Sequence, residues 1–127
     1  MKEIKKEWSV KLALFESEYT TLQDLASEID ITVKKLVNKS IKLALKDYEK
    51  KHHIKRSSQI RYVEDTELRT YSFKIKEKHY EKLKGISDSL EMNVKEIVKC
   101  ILSYYPNVVV KAVEAAEEAA LEEYYLK

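Results

Sequence analysis

Gly85 is the only glycine among 127 residues. A phosphate-cradling loop needs several glycines, so nucleotide binding of that kind is excluded. Cysteine is equally scarce. Cys100 alone cannot form an internal disulfide or a Cys-based zinc site. It falls on the apolar side of a helical pattern, which makes it core filler rather than a reactive thiol. Of three histidines, His52 and His53 are adjacent but lack companion ligands, so no metal and no cofactor is expected. One cysteine, three histidines and carboxylates scattered among lysines yield no nucleophile–base pair, and an enzyme is not expected. The single proline, Pro106, predicts a helix stop at or before Tyr105. No apolar run approaches a membrane span and no signal peptide is visible, so the expectation is a chain without a membrane partner, in the cytoplasm.

What the chain has is charge, unevenly placed. Charged residues make up 36% of it and the net charge is +2. Residues 1–63 hold 14 Lys+Arg against 9 Asp+Glu, whereas residues 64–127 hold 10 against 13. Residues 108–127 alone hold 2 against 5. A basic front and an acidic tail suit a nucleic-acid face combined with a separate interaction element.

Hydrophobic periodicity divides the chain. Tyr71, Phe73 and Ile75 alternate with Thr70, Ser72 and Lys74, a strand with one buried face. Tyr80, Leu83, Ile86 and Leu90 then recur at helical spacing. Asn93, with Glu96 three residues on, predicts the N-cap of a second helix carrying Val94, Ile97, Val98, Ile101 and Leu102. The same register appears 61 positions earlier: Val10, Leu12 and Leu14, then Tyr19, Leu22, Leu25 and Ile29, then Thr32 and Val33 with Leu36 and Val37. A lone strand would leave its backbone groups unpaired, so two such units are expected to pair with each other. Helices are expected over residues 17–29 and 32–50, with Ser17 as a candidate cap. Residues 108–127 carry Val109, Val113, Ala116 and Ala120 at steps of three or four, which predicts a separate terminal helix. Cutting the chain after Asn107 is then expected to leave a folded core.

Each unit resembles the ribbon-helix-helix family of DNA-binding proteins, the Arc/MetJ-like class. Leu14-Phe15-Glu16 and Ile75-Lys76-Glu77 stand at its strand–helix junction. Ile29-Asp30-Ile31-Thr32 and Leu90-Glu91-Met92-Asn93 stand at its helix–helix turn, with Asp30 and Glu91 where the family has a glycine. The match is ungapped over both units and covers roughly two thirds of the chain. Among relatives the chain is most similar to tandem regulators of crenarchaeal viruses and plasmids, which implies the cytoplasm of a host cell.

The resemblance implies a mainly α fold with a two-stranded antiparallel β-ribbon, two repeats forming an intramolecular pseudo-dimer, and a C-terminal helix. The corresponding bounds are 1–50 for repeat one, 51–68 for a basic-to-acidic linker, 69–105 for repeat two and 106–127 for the acidic helix, all within one domain. It further implies sequence-specific binding of double-stranded DNA through a ribbon in the major groove, as a transcriptional repressor or other regulator. Base contacts would come from Ser9, Lys11, Ala13, Thr70, Ser72 and Lys74, the polar sides of the two strands. Phosphate contacts would come from Thr32, Lys34, Asn93 and Lys95 at the second helices' N-termini. Self-association through surface helices or the C-terminal helix is expected. Two alternatives stand beside this reading: an antitoxin whose C-terminal helix binds a toxin, and a protein–protein interaction module that does not bind DNA.

Overall fold

The computed structural model describes residues 6–55 and 68–125. Residues 1–5 and most of the 51–68 linker, Arg56 and Arg61 included, lie outside the described residues. The element order is β1 (Glu7–Phe15), α1 (Glu16–Glu28), α2 (Val33–Lys51), β2 (Leu68–Lys76), α3 (Glu77–Leu90) and α4 (Val94–Tyr125). The fold is thus mainly helical, with β1 and β2 paired antiparallel as a two-stranded sheet.

Alternation decides which face of the ribbon is buried. Val10, Leu12, Leu14, Phe73 and Ile75 point inward and are 4% exposed or less. Beneath them lie Leu22 and Ala26 of α1, Leu36, Val37, Ile41, Ala44 and Leu45 of α2, Leu83 of α3, and Ile97, Val98 and Ile101 of α4, in one cluster. Each first helix also lays a tyrosine on the ribbon's underside. Tyr19 stacks on Tyr71 at 4.2 Å, and Tyr80 stacks on Trp8 at 4.9 Å. Trp8 stays 45% exposed, so it covers the end of the ribbon without entering the core.

Both helix–helix turns take the left-handed conformation at the position where the resemblance leads one to look for glycine. Asp30 has φ 53° and Glu91 φ 54°. Two carbonyl bonds close each turn: Asp30 N–H donates to Ser27 O and Ile31 N–H to Ala26 O, while Glu91 N–H donates to Asp88 O and Met92 N–H to Ser87 O. These bonds offset the roughly 1–2 kcal/mol that a side chain costs in this conformation.

Three expectations need correction. The first helix begins at Glu16 with Phe15 as its N-cap, so Ser17 is not the cap. Glu18 reaches back to accept the Phe15 N–H at 3.0 Å, the service a capping serine would otherwise invite. Second, no helix stops at Tyr105. α4 runs on through Pro106 to Tyr125, so residues 106–127 are not a separate helix. Proline removes one intrahelical bond and costs about 3 kcal/mol. What lies beyond outweighs that: Val109 and Val110 are both 4% exposed, and burying a valine contributes about 1.5–3 kcal/mol. Tyr105 anchors the same turn. Its hydroxyl donates to Asp47 Oδ2 of α2 at 2.8 Å and accepts the Lys55 N–H at 3.1 Å. Burial first, and then the Asp47 carboxylate, push this phenol up to about 12, so it remains a donor. Third, because Val109 and Val110 belong to the core, the core does not end at Asn107.

Candidate nucleic-acid interface

The outward face of the ribbon is built by the strand register. Ser9 pairs with Lys74, Lys11 with Ser72 and Ala13 with Thr70. All six residues are exposed. They form three consecutive cross-strand pairs holding two lysines, three hydroxyls and one methyl, with no carboxylate among them. The next pair outward at one end is Glu7 with Lys76, and at the other Phe15 with Leu68. The face is therefore graded, charged at the Lys74 end and apolar at the Leu68 end.

The second helices begin with side-chain caps. Thr32 Oγ1 accepts the Lys35 N–H at 3.1 Å, and Asn93 Oδ1 accepts the Glu96 N–H at 2.9 Å. The N–H groups of the first two residues of each helix have no intrahelical acceptor, which makes each start an anion-favouring end. Lys34 and Lys95 sit there, both exposed.

The two starts differ in one respect that sequence reasoning misses. Lys34 Nζ donates to Glu7 Oε1, an ion pair joining the start of α2 to the start of β1. The hydrogen bond from Lys34 chiefly, and the charges of Lys34, Lys74 and Lys76, hold the Glu7 carboxyl below its usual range despite some desolvation. Three lysines thus surround one carboxylate at the charged end of the ribbon. Among the described residues Lys95 has no such partner.

A second feature, also missed, fixes the backbone of this end. Asn38 of α2 is 5% exposed. Its amide donates to Lys34 O at 2.9 Å and to Lys74 O at 3.0 Å. Its Oδ1 accepts the Lys76 N–H at 3.1 Å and faces His79 Nδ1 at 3.3 Å. With both amide hydrogens on carbonyls, Oδ1 is the acceptor, so the neutral His79 ring carries its proton on Nδ1. Burial chiefly, then the charges of Lys76, Lys78, Lys82 and Lys42, lower the His79 pKa. The signal in the sequence is faint: an asparagine at the margin of an apolar stripe, whose counterpart 61 positions on is the exposed Lys99.

Elsewhere the chemistry is sparse. A cavity of about 200 Å³ is lined by His53, Ile54, Leu90, Met92, Ile97 and Cys100, mostly apolar. Among the described residues no group of three or more His, Cys, Asp or Glu could hold a metal, and no helix is long and apolar enough to cross a membrane. His52 ends α2 as its left-handed C-cap. Comparison with protein-family models, with curated proteins and with solved structures finds no match to this chain.

Proposed function

We propose that the chain binds double-stranded DNA in a sequence-specific manner, laying the β1–β2 ribbon in the major groove as a regulator of transcription. The observation that carries this reading is the outward face: three exposed cross-strand pairs free of carboxylates, over a buried apolar underside. The B-DNA major groove admits a two-stranded ribbon. Lysine donates to guanine O6 and N7, serine and threonine hydroxyls serve either base edge, and the alanine methyl suits a thymine methyl.

In the same proposal, β1-α1-α2 and β2-α3-α4 act as two ribbon-helix-helix units paired within one chain. The register supports this. Lys11 pairs with Ser72, and 72 − 11 = 61 is the offset that relates the two halves in sequence. Each of these residues therefore faces its own counterpart, and in this proposal a pseudo-twofold axis would pass through the pair. The helix starts at Thr32 with Lys34, and at Asn93 with Lys95, would then take phosphates on either side of the groove.

Lys11→Ala and Lys74→Ala are each expected to weaken specific binding by about 1–3 kcal/mol, with thermal stability nearly unchanged. Mobility-shift titration beside a melting curve measures both. Unchanged affinity in the folded double variant would take the ribbon out of the interface.

Glu7 occupies, with a carboxylate, the place where Lys34 would meet a phosphate. Glu7→Gln is therefore expected to tighten DNA binding and to steepen the dependence of log K on log salt by about one unit. A shallower slope would mean that Lys34 makes no phosphate contact.

A further inference from the structure

The outer face of α2 is a stripe of lysine. Lys35, Lys39, Lys42, Lys46 and Lys50 follow one another at steps of four, three, four and four, and all are exposed. At 3.6 residues per turn they form one narrow line about 22 Å long, opposite the buried Val37, Ile41 and Ala44. The corresponding line on α4, 61 positions on, reads Glu96, Cys100, Ser103, Asn107 and Lys111, so the stripe belongs to one half only.

The same chain carries the opposite charge at the far end of α4. Val109, Val110 and the half-buried Val113 are the last residues turned to the core up to position 120 of that helix. Four residues after Val113 and seven after Val110, the inward stripe becomes Glu117. Glu114, Glu117 and Glu118 share one side of the helix, and residues 114–120 are all exposed. Residues 114–120 of this tail bury nothing on their own domain, and α4 packs against the buried side of α2, opposite the lysine stripe. Its carboxylates also approach the negative end of the helix dipole, with no basic residue in the last turn. Among the described residues none of the three has an ion-pair partner.

We propose that the acidic tail of α4 docks along the lysine stripe of α2 in a second copy of this chain. Stripe and tail are different surfaces, so the contact is head-to-tail and leaves a free stripe at one end and a free tail at the other. Repetition would set copies side by side in a row. Exposed ion pairs are individually weak and are screened by salt, so the contact depends on several of them at once. The inference does not rest on the DNA reading, and it is tested without DNA.

The test is sedimentation velocity of the full chain at about 0.1 M and about 1 M salt, with two charge-reversed variants: Lys39→Glu/Lys42→Glu/Lys46→Glu, and Glu114→Lys/Glu117→Lys/Glu118→Lys. All six side chains are exposed, and circular dichroism checks that both variants fold. The wild-type chain should associate at the lower salt and dissociate at the higher. Each variant alone should associate about tenfold or more weakly than wild type. An equimolar mixture of the two should regain association, because the reversed tail meets the reversed stripe. A wild-type chain monomeric at the lower salt, or variants that do not associate when mixed, would overturn the proposal. So would a stripe variant that self-associates like wild type, which would leave the stripe for a partner other than this tail.

Discussion

A chain cut after Asn107 should lose most of its stability, while one cut after Val113 should melt within a few degrees of the full chain. The shorter product lacks Val109 and Val110, both 4% exposed, and exposes the turn that holds Tyr105 against Asp47. Two buried valines contribute about 3–6 kcal/mol together, against a total of about 5–15 kcal/mol for an ordinary domain. The melting temperature is expected to fall by at least about 15 °C. The longer product keeps Val109, Val110 and Val113, and residues 114–120 that it loses are all exposed. Differential scanning calorimetry of the two truncations in dilute solution separates them. Equal melting of the shorter product and the full chain would mean that the helix beyond Pro106 contributes nothing to the core.

The second large effect is expected at Asn38. Asn38→Leu leaves the Lys76 N–H without its acceptor, Lys74 O without its donor and His79 Nδ1 without Oδ1. Stranded buried polar groups of this kind are expected to cost about 2–4 kcal/mol together. The loss also frees the backbone beneath Lys74, so DNA affinity should fall by more than the Lys74→Ala substitution removes. A pH series adds an independent check. The His79 pKa is lowered in the folded chain, so the neutral ring's contribution is fully present above the unfolded value of about 6.5. It is lost as pH falls through the lower, folded value. Denaturant unfolding between neutral and mildly acid pH should show that decline in the wild type and a flatter profile in His79→Gln. Wild-type stability in Asn38→Leu would show that water satisfies these groups and that Asn38 positions nothing.

The ribbon and its buried side are legible in the sequence, because a period of two assigns every residue of Val10–Leu14 and Tyr71–Ile75 to a face without knowledge of the partner strand. The N-caps Thr32 and Asn93 are legible for a similar reason: a cap bonds within three residues of itself. What is not legible depends on contacts far apart in the chain. The Lys34–Glu7 pair spans 27 positions and the Asn38–Lys74 bond 36, and neither residue type predicts its partner. Pro106 misleads because the local rule is sound and tertiary burial of Val109 and Val110 overrides it. The lysine stripe lies in between. Its spacing is plain in the sequence, but it gains meaning only when α2 proves to bury the opposite side. The six outward residues of the ribbon are legible as an exposed face, but exposure does not identify a ligand.

Whether one chain reads DNA with two unlike strands is tested most directly by selection of bound duplexes from a random pool, followed by footprinting. Ser9, Lys11 and Ala13 differ from their counterparts Thr70, Ser72 and Lys74, and charge is gathered at the Lys74 end of the face. Enriched sites should have a non-palindromic core, with guanine favoured toward Lys11 and Lys74 and thymine toward Ala13 and Thr70. Exchanging the two outward triplets should reverse the site's orientation. Strict palindromes centred on one chain would contradict the pairing of two unlike strands, and a pool with no enriched sequence would contradict DNA reading by this ribbon altogether.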